Sequence, residues 1–281
     1  GAPTGPVRTP GAADNACIPT GAAGAWTTID LAPTGTTNVT VAAIDASPYA
    51  ELRLPNPDGS TGALTVSGAV TIGALTASRD VGITGPLTVG RLDVTDATVK
   101  TAVLTLADQA SDPEYVRTAR IERGALTSGD VVIPAGARLT VDDASIVAAV
   151  EVGGEMRVAA GGQSDVAAVT LRPGSELRFE AIDPGDPLHA RLTTELFTVD
   201  GGTLAVTLTG PVAAETTIVT GATSGSFDLV TIDGDYPATA VLRTGDATVG
   251  GVVLVAGEPP TWVAGDRLTV DELRANGQHP A

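Results

Sequence analysis

Four pairs of closely spaced carboxylates, Asp93/Asp96, Asp142/Asp143, Asp183/Asp186 and Asp233/Asp235, are the residues whose type and spacing suit acid–base chemistry. Cleaving a glycosidic bond needs two such groups facing each other across a sugar, roughly 5 to 9.5 Å apart. None of the pairs is tied by spacing to a neighbouring segment, and two lie among Gly and Pro, where Asp hydrogen-bonds its own backbone in a turn. The turn reading is the stronger one for each. A lyase needs instead a basic group beside a carboxylate to remove a proton. Arg117, Arg120 and Arg123, with Tyr115, form the one cluster of that kind, and the competing reading is a solvated charged loop. His189 and His279 are the only histidines, too few for a multi-His metal site and a poor basis for a Ser-His-Asp triad. His189, in a Pro-rich stretch, is expected to be exposed. Asp233-Gly-Asp235 offers oxygen ligands to calcium but lacks both an EF-hand loop and a Gly-rich calcium-binding repeat, so it too reads as a turn. The single cysteine, Cys17, excludes an internal disulfide and any Cys-rich metal site; it reads as a buried or tolerated thiol. No catalytic, cofactor-binding or metal residue is assigned, and the expectation is a non-enzymatic protein without a cofactor.

The elements around these residues are more informative. Gly62-Ala-Leu64-Thr-Val66, Gly73-Ala-Leu75-Thr-Ala77, Gly85-Pro-Leu87-Thr-Val89 and Gly90-Arg-Leu92-Asp-Val94 repeat one phrase at spacings of 11, 12 and 5 residues. Each reads as a short strand with two apolar side chains inward and a polar one outward, reached through a tight turn. A strand of that length cannot bury its face alone, and stacking copies solves the problem, as in a β-solenoid. A longer phrase, Gly-x-x-(Leu/Met)-x-(Val/Phe), starts at Gly136, Gly153, Gly174 and Gly201, with spacings of 17, 21 and 27. Apolar strands precede the first three: Val131–Ile133, Ile146–Val152 and Val166–Leu171. Strand, Gly turn, strand is then one coil or much of one, with corner loops of variable length, the longest in this half at 182–195.

Composition agrees. Hydrophobic residues are 43% of 281, aromatics only 3%, with 34 Gly and 19 Pro. Stacked rungs need modest, uniform side chains, and this balance disfavours helix. The net charge of −17 makes nucleic acid and anionic membranes poor partners. No apolar run approaches the roughly 20 residues that span a bilayer. The outward Thr65, Thr71, Thr76, Thr88, Thr95 and Thr105 would form a ladder on one flat face if the coils stack in register, although Thr is also simply a good exposed strand residue. Asn38-Val-Thr40 fits a glycosylation acceptor, a short motif with many chance matches.

The predicted architecture is all-β, a right-handed parallel β-helix with short end caps. Residues 1–16 form a flexible segment and 17–260 the solenoid. Residues 261–281 form a C-terminal cap, with a short helix over 270–276 (capping box Thr269-x-x-Glu272) and Trp262 closing the core. Trp26 covers the other end. Residues 107–124 read as a loop or short helix projecting from the wall.

Val131-Val-Ile-Pro-Ala-Gly-Ala-Arg-Leu-Thr-Val141 is similar to the strand, Pro-Ala-Gly turn, strand rung of secreted right-handed β-helices. Gly201-Gly-Thr-Leu-Ala-Val-Thr-Leu208 with Gly225-Ser-Phe-Asp-Leu-Val230 resembles the last rungs of bacterial adhesin and autotransporter passenger domains. The resemblance covers about half the chain and implies an extracellular, surface-displayed protein; no translocating barrel accompanies it in this sequence. The expected function is a secreted structural or adhesive cell-surface protein, a filament or surface-layer subunit that self-associates through its solenoid ends and contacts cell-surface glycan. The alternatives are a polysaccharide lyase or glycoside hydrolase, with substrate near 107–124, or a trimeric phage-type fibre segment.

Overall fold

Val70 stacks on Leu87 and Leu87 on Leu104, each 17 residues further along the chain and one rung further along a solenoid. Stacking of this kind, with coils of varying length, recurs throughout the computed structural model, which describes residues 12–18, 26–31, 38–56, 59, 62–107, 117–212 and 215–257. Those residues hold 24 strands and no helix. The chain passes through three parallel sheets in turn and then begins the next coil, so the protein is a parallel β-helix.

The first sheet carries the inward column Val39, Leu64, Val81, Val99, Leu126, Ile146 and Val166. In the second, Ile44, Val70, Leu87, Leu104, Val131, Val150, Val169 and Phe197 stack. The third stacks Leu52, Leu75, Leu92, Ala119, Leu139, Met156, Leu177 and Leu204. All are buried in one continuous core. Each fully buried Val or Leu contributes about 1.5–3 kcal/mol relative to exposure, and the alternation of the strands delivers one such side chain every second residue. Among the described residues only Phe179 and Phe197 bring fully buried rings inside.

The long Gly phrase has the register the sequence implies: Leu139 on Met156 on Leu177 on Leu204, four successive rungs of the third sheet. The shorter phrase does not mark a coil period. Leu64-Thr-Val66 belongs to the first sheet, Leu87-Thr-Val89 to the second, and Leu75-Thr-Ala77 and Leu92-Asp-Val94 to the third. Any half-buried strand needs that phrase, so it recurs within a coil as well as between coils. The six threonines are divided likewise. Only Thr71, Thr88 and Thr105 stack, on the second sheet, and the column continues into Val132 and Glu151.

Segment 107–124 differs from its expectation in part. Arg117–Glu122 is a rung of the third sheet, seated between Arg91–Thr95 and Ala137–Asp142, with Ala119 and Ile121 fully buried. Its charges are the outward half of an alternating strand; Tyr115 lies outside the described residues. Among the described residues the first strand is Asn15–Ile18, which pairs with Ala43–Ala46, so a rung includes the last two residues of the segment expected to be flexible. Cys17 on that strand is an exposed free thiol. Trp26 stays 39% exposed and meets Tyr49 edge to face at 6.2 Å.

At the C-terminal end the parallel order stops. Gly251–Ala256 pairs antiparallel with both Thr216–Ser226 and Ala238–Arg243, laying a hairpin along the last edge of the first sheet. This is an end cap built of strand. The expected helix over 270–276, Trp262 and His279 lie outside the described residues.

Candidate functional site

The outer surface of the third sheet gathers half of the described arginines. Alternation sends the residues flanking each buried Leu, Ile or Met outward, and here those flanks are charged: Glu51/Arg53, Arg91/Asp93, Arg120/Glu122, Glu155/Arg157 and Glu176/Arg178. Parallel register stacks all of them but Glu122 into two columns, with Ala74 and Thr118 interrupting one and Thr76 and Thr140 the other. Two carboxylates act as hubs. Glu51, 5% exposed, accepts from Arg53 Nη2 at 2.8 Å, Arg91 Nη2 at 2.7 Å and Thr76 Oγ1 at 3.1 Å. Glu155 accepts from Arg138 Nε and Arg157 Nη2, each at 2.7 Å, while Arg157 Nη1 also reaches Glu180 at 2.8 Å. Arg178 links Glu176 at 2.5 Å with Glu155 at 3.5 Å.

Exposed ion pairs of this kind contribute about 0–1 kcal/mol each, because both partners leave good hydration. Five of the pairs join residues of one strand, two positions apart, and need no neighbour. Arg91–Glu51, Arg138–Glu155, Arg157–Glu180 and Arg178–Glu155 cross between rungs and favour the observed register, since a one-residue slip would turn the charges into the core.

The candidates from the sequence fall as follows. Asp93 is held by Arg91 Nε at 2.9 Å. Asp96 and Asp143 occupy the same corner in different coils, both left-handed (φ 53° and 48°), with Arg123 between them at φ 46°. Asp96 accepts from Arg123 Nε at 3.0 Å, and Asp143 Oδ1 accepts the Gln163 N–H at 2.8 Å. Asp tolerates that conformation because its short side chain hydrogen-bonds locally. Asp183 and Asp186 each cap a backbone N–H two residues on, Gly185 and Leu188, both at 2.9 Å. Asp233 and Asp235 stand in an exposed turn around Gly234, and among the described residues no third metal-ligating side chain joins them. The Arg117/Arg120/Arg123 cluster is dispersed: Arg117 Nη2 donates to Ala135 O at 3.2 Å, Arg120 pairs with Glu122 at 2.9 Å, and Arg123 with Asp96 and Glu122. His189 is buried, not exposed. Its corner loop folds back so that Nδ1 lies 2.8 Å from Asp186 O and Nε2 3.3 Å from Thr217 O.

The hubs shape the acid response. Burial alone pushes the Glu51 carboxyl up, but the Arg53 hydrogen bond, the Arg91 charge and the Thr76 hydroxyl outweigh it and hold the group below its ordinary 4.5. Glu155 is lowered in the same way: burial opposes, and Arg157 and Arg138 prevail. Asp93 is raised above 3.8, mainly by burial against the pull of Arg91 and Arg120, and Asp142 by burial and then by Asp143 and Glu122. A raised carboxyl is protonated in the folded chain before the unfolded one, so it adds stability as pH falls through its folded value. A lowered one contributes stability above its unfolded value and loses it as pH falls through the folded value. Thermal midpoints are therefore expected to hold or rise from pH 7 to about 4.5, then fall below about 4. Glu51→Gln should flatten the acid limb. A steady decline beginning at pH 7 in a differential scanning series would contradict this assignment.

No protein-family model, curated protein or solved structure matches the chain.

Proposed function

We propose that the protein is an exported, non-enzymatic structural or adhesive element of a cell surface, acting as a stiff acidic rod that self-associates through its solenoid ends. One observation carries this reading: the inward columns run unbroken along the solenoid, while the outward charges of the third sheet are satisfied by one another, within a rung and between rungs. In the second sheet ten rungs lie between Ala16 and Thr223. At about 4.8 Å per rung the rod is roughly 45 Å long. The placement at a cell surface rests on the resemblance of the Val131–Val141 rung to secreted right-handed β-helices and of Gly201–Leu208 with Gly225–Val230 to adhesin and autotransporter passenger domains.

Unpaired strand edges are templates for further strands. The two ends differ in this respect. Asn15–Ile18, Thr27–Asp30 and Val39–Val41 each pair on one side only among the described residues, whereas the hairpin covers the last edge of the first sheet. Association therefore uses the N-terminal rungs, giving a head-to-head pair of roughly 90 Å, and the Leu229–Asp233 edge extends it. Small-angle scattering and negative-stain microscopy over a concentration series, with and without calcium, test this. Particle lengths should rise to multiples of the single rod. A monomer at every concentration removes the self-association reading.

A further inference from the structure

A groove of about 620 Å³ opens at the C-terminal end, between the corner loop that carries His189 and the antiparallel hairpin. Its volume falls within the roughly 300–1,000 Å³ of small-molecule clefts. It lies on the side of the rod away from the charged third sheet and uses none of that sheet's residues.

Three features define what it can hold. The first is charge. Arg191 and Arg243 face the groove with a single carboxylate, Glu215, which is bound to Arg243 Nη2. Asp246, bonded to the lining Thr248, is a second anion beside the groove, so on a chain of net charge −17 the cleft is locally balanced where the surface as a whole is acidic. The second is an unmet donor. Arg191 Nε is buried and has no hydrogen-bond partner among the described residues. That atom is closed to solvent, so a ligand in the groove meets Arg191 through its terminal guanidinium nitrogens. The third is a lining of hydroxyls, Thr216, Thr217, Thr220 and Thr248, with no Phe, Tyr or Trp among the lining residues. Thr248 Oγ1 donates to Asp246 Oδ1 at 2.5 Å, which leaves its lone pairs to accept from a ligand.

We infer that this groove is a binding site for a short acidic saccharide, with the sugar carboxylate on Arg191 and the ring hydroxyls on the threonines. A guanidinium satisfies a carboxylate with two parallel hydrogen bonds. Threonine hydroxyls both donate and accept, as sugar hydroxyls require, and the open form of the groove admits a chain. Without a Phe, Tyr or Trp to stack on, recognition depends on charge and hydrogen bonding, so binding weakens with added salt.

Isothermal titration of the whole protein with trigalacturonic acid, maltotriose and sodium sulfate tests the inference. Saturable binding is expected for the uronide, and Arg191→Gln should weaken it by roughly 10- to 100-fold. Arg191→Lys should recover part of that loss, since it restores charge without the planar fork. Far-UV circular dichroism and the thermal midpoint check that both variants fold. Four results would each overturn the proposal: no uronide binding, binding unchanged in folded Arg191→Gln, maltotriose binding as tightly as the uronide, or sulfate doing so. The last would mean that the groove takes any small anion.

Discussion

Gly73→Ala is expected to destabilise the protein by about 3 kcal/mol, at the upper end of what overpacking costs, while Gly82→Ala stabilises it by about 0.5 kcal/mol. Both add one methyl group. At Gly73 the chain turns from the second sheet to the third, against the corner of the coil before it. A Cβ there would stand 2.0 Å from Pro48 O and 2.8 Å from Ala50 O. Both obstacles are backbone atoms, pinned by their own rungs, so no rotamer change relieves the contact and the coils must separate. Gly82 lies between Thr65 and Lys100 on the outer face of the first sheet, and nothing stands within 4 Å of its Cβ position. There a side chain only reduces the freedom of the unfolded chain, the part of the glycine penalty that a strand can recover. Urea unfolding followed by circular dichroism should move the two midpoints in opposite directions. Similar shifts in both would mean that the coils at Pro48–Ala50 are less closely stacked than described.

Phe197→Ala is expected to cost about 3–5 kcal/mol. The ring is fully buried on Val169, beneath Thr223, and lies 6.3 Å from Phe227, so its removal leaves a cavity where the body meets the end cap. Solenoid stability is close to a sum of nearest-neighbour terms, which places the loss at that junction. Amide hydrogen exchange should then show protection falling first in Thr216–Ser226 and Gly251–Ala256, with Leu64–Thr95 little changed. A uniform loss along the rod would show instead that the coils unfold as one unit.

The coil itself was legible wherever a glycine corner and an apolar pair recur on the same sheet. Leu139, Met156, Leu177 and Leu204 are separated by 17, 21 and 27 residues, yet the Gly-x-x-(Leu/Met) phrase places them in one column. The division into three sheets was not legible, because the inward requirement is the same on each and Leu-Thr-Val suits all of them. The charged wall was missed for a different reason. Its signal, a charge, an apolar residue and an opposite charge, is present in Glu51-Leu-Arg53, Arg91-Leu-Asp93, Arg120-Ile-Glu122, Glu155-Met-Arg157 and Glu176-Leu-Arg178. In Arg117–Glu122 the density of charge masks the alternation of Ala119 and Ile121, so from sequence the rung reads as a loop or short helix. The groove could not have been found. Arg191 and Arg243 are 52 residues apart, and only the antiparallel return of Gly251–Ala256 brings them to one cleft.

The variable coil has a consequence for how the chain reaches this state. From Val70 onward, successive residues of the second-sheet column lie 17 to 28 positions apart, so in a chain of 281 a rung meets its neighbour at a relative separation of about 0.06–0.10. That is the range of helical bundles, well under what sandwiches and barrels require. Each coil can settle on its predecessor as soon as it is synthesised, without waiting for a distant partner, and the antiparallel strand comes last. Order of assembly then follows order of synthesis, and an all-β chain avoids the slow search that usually accompanies its class.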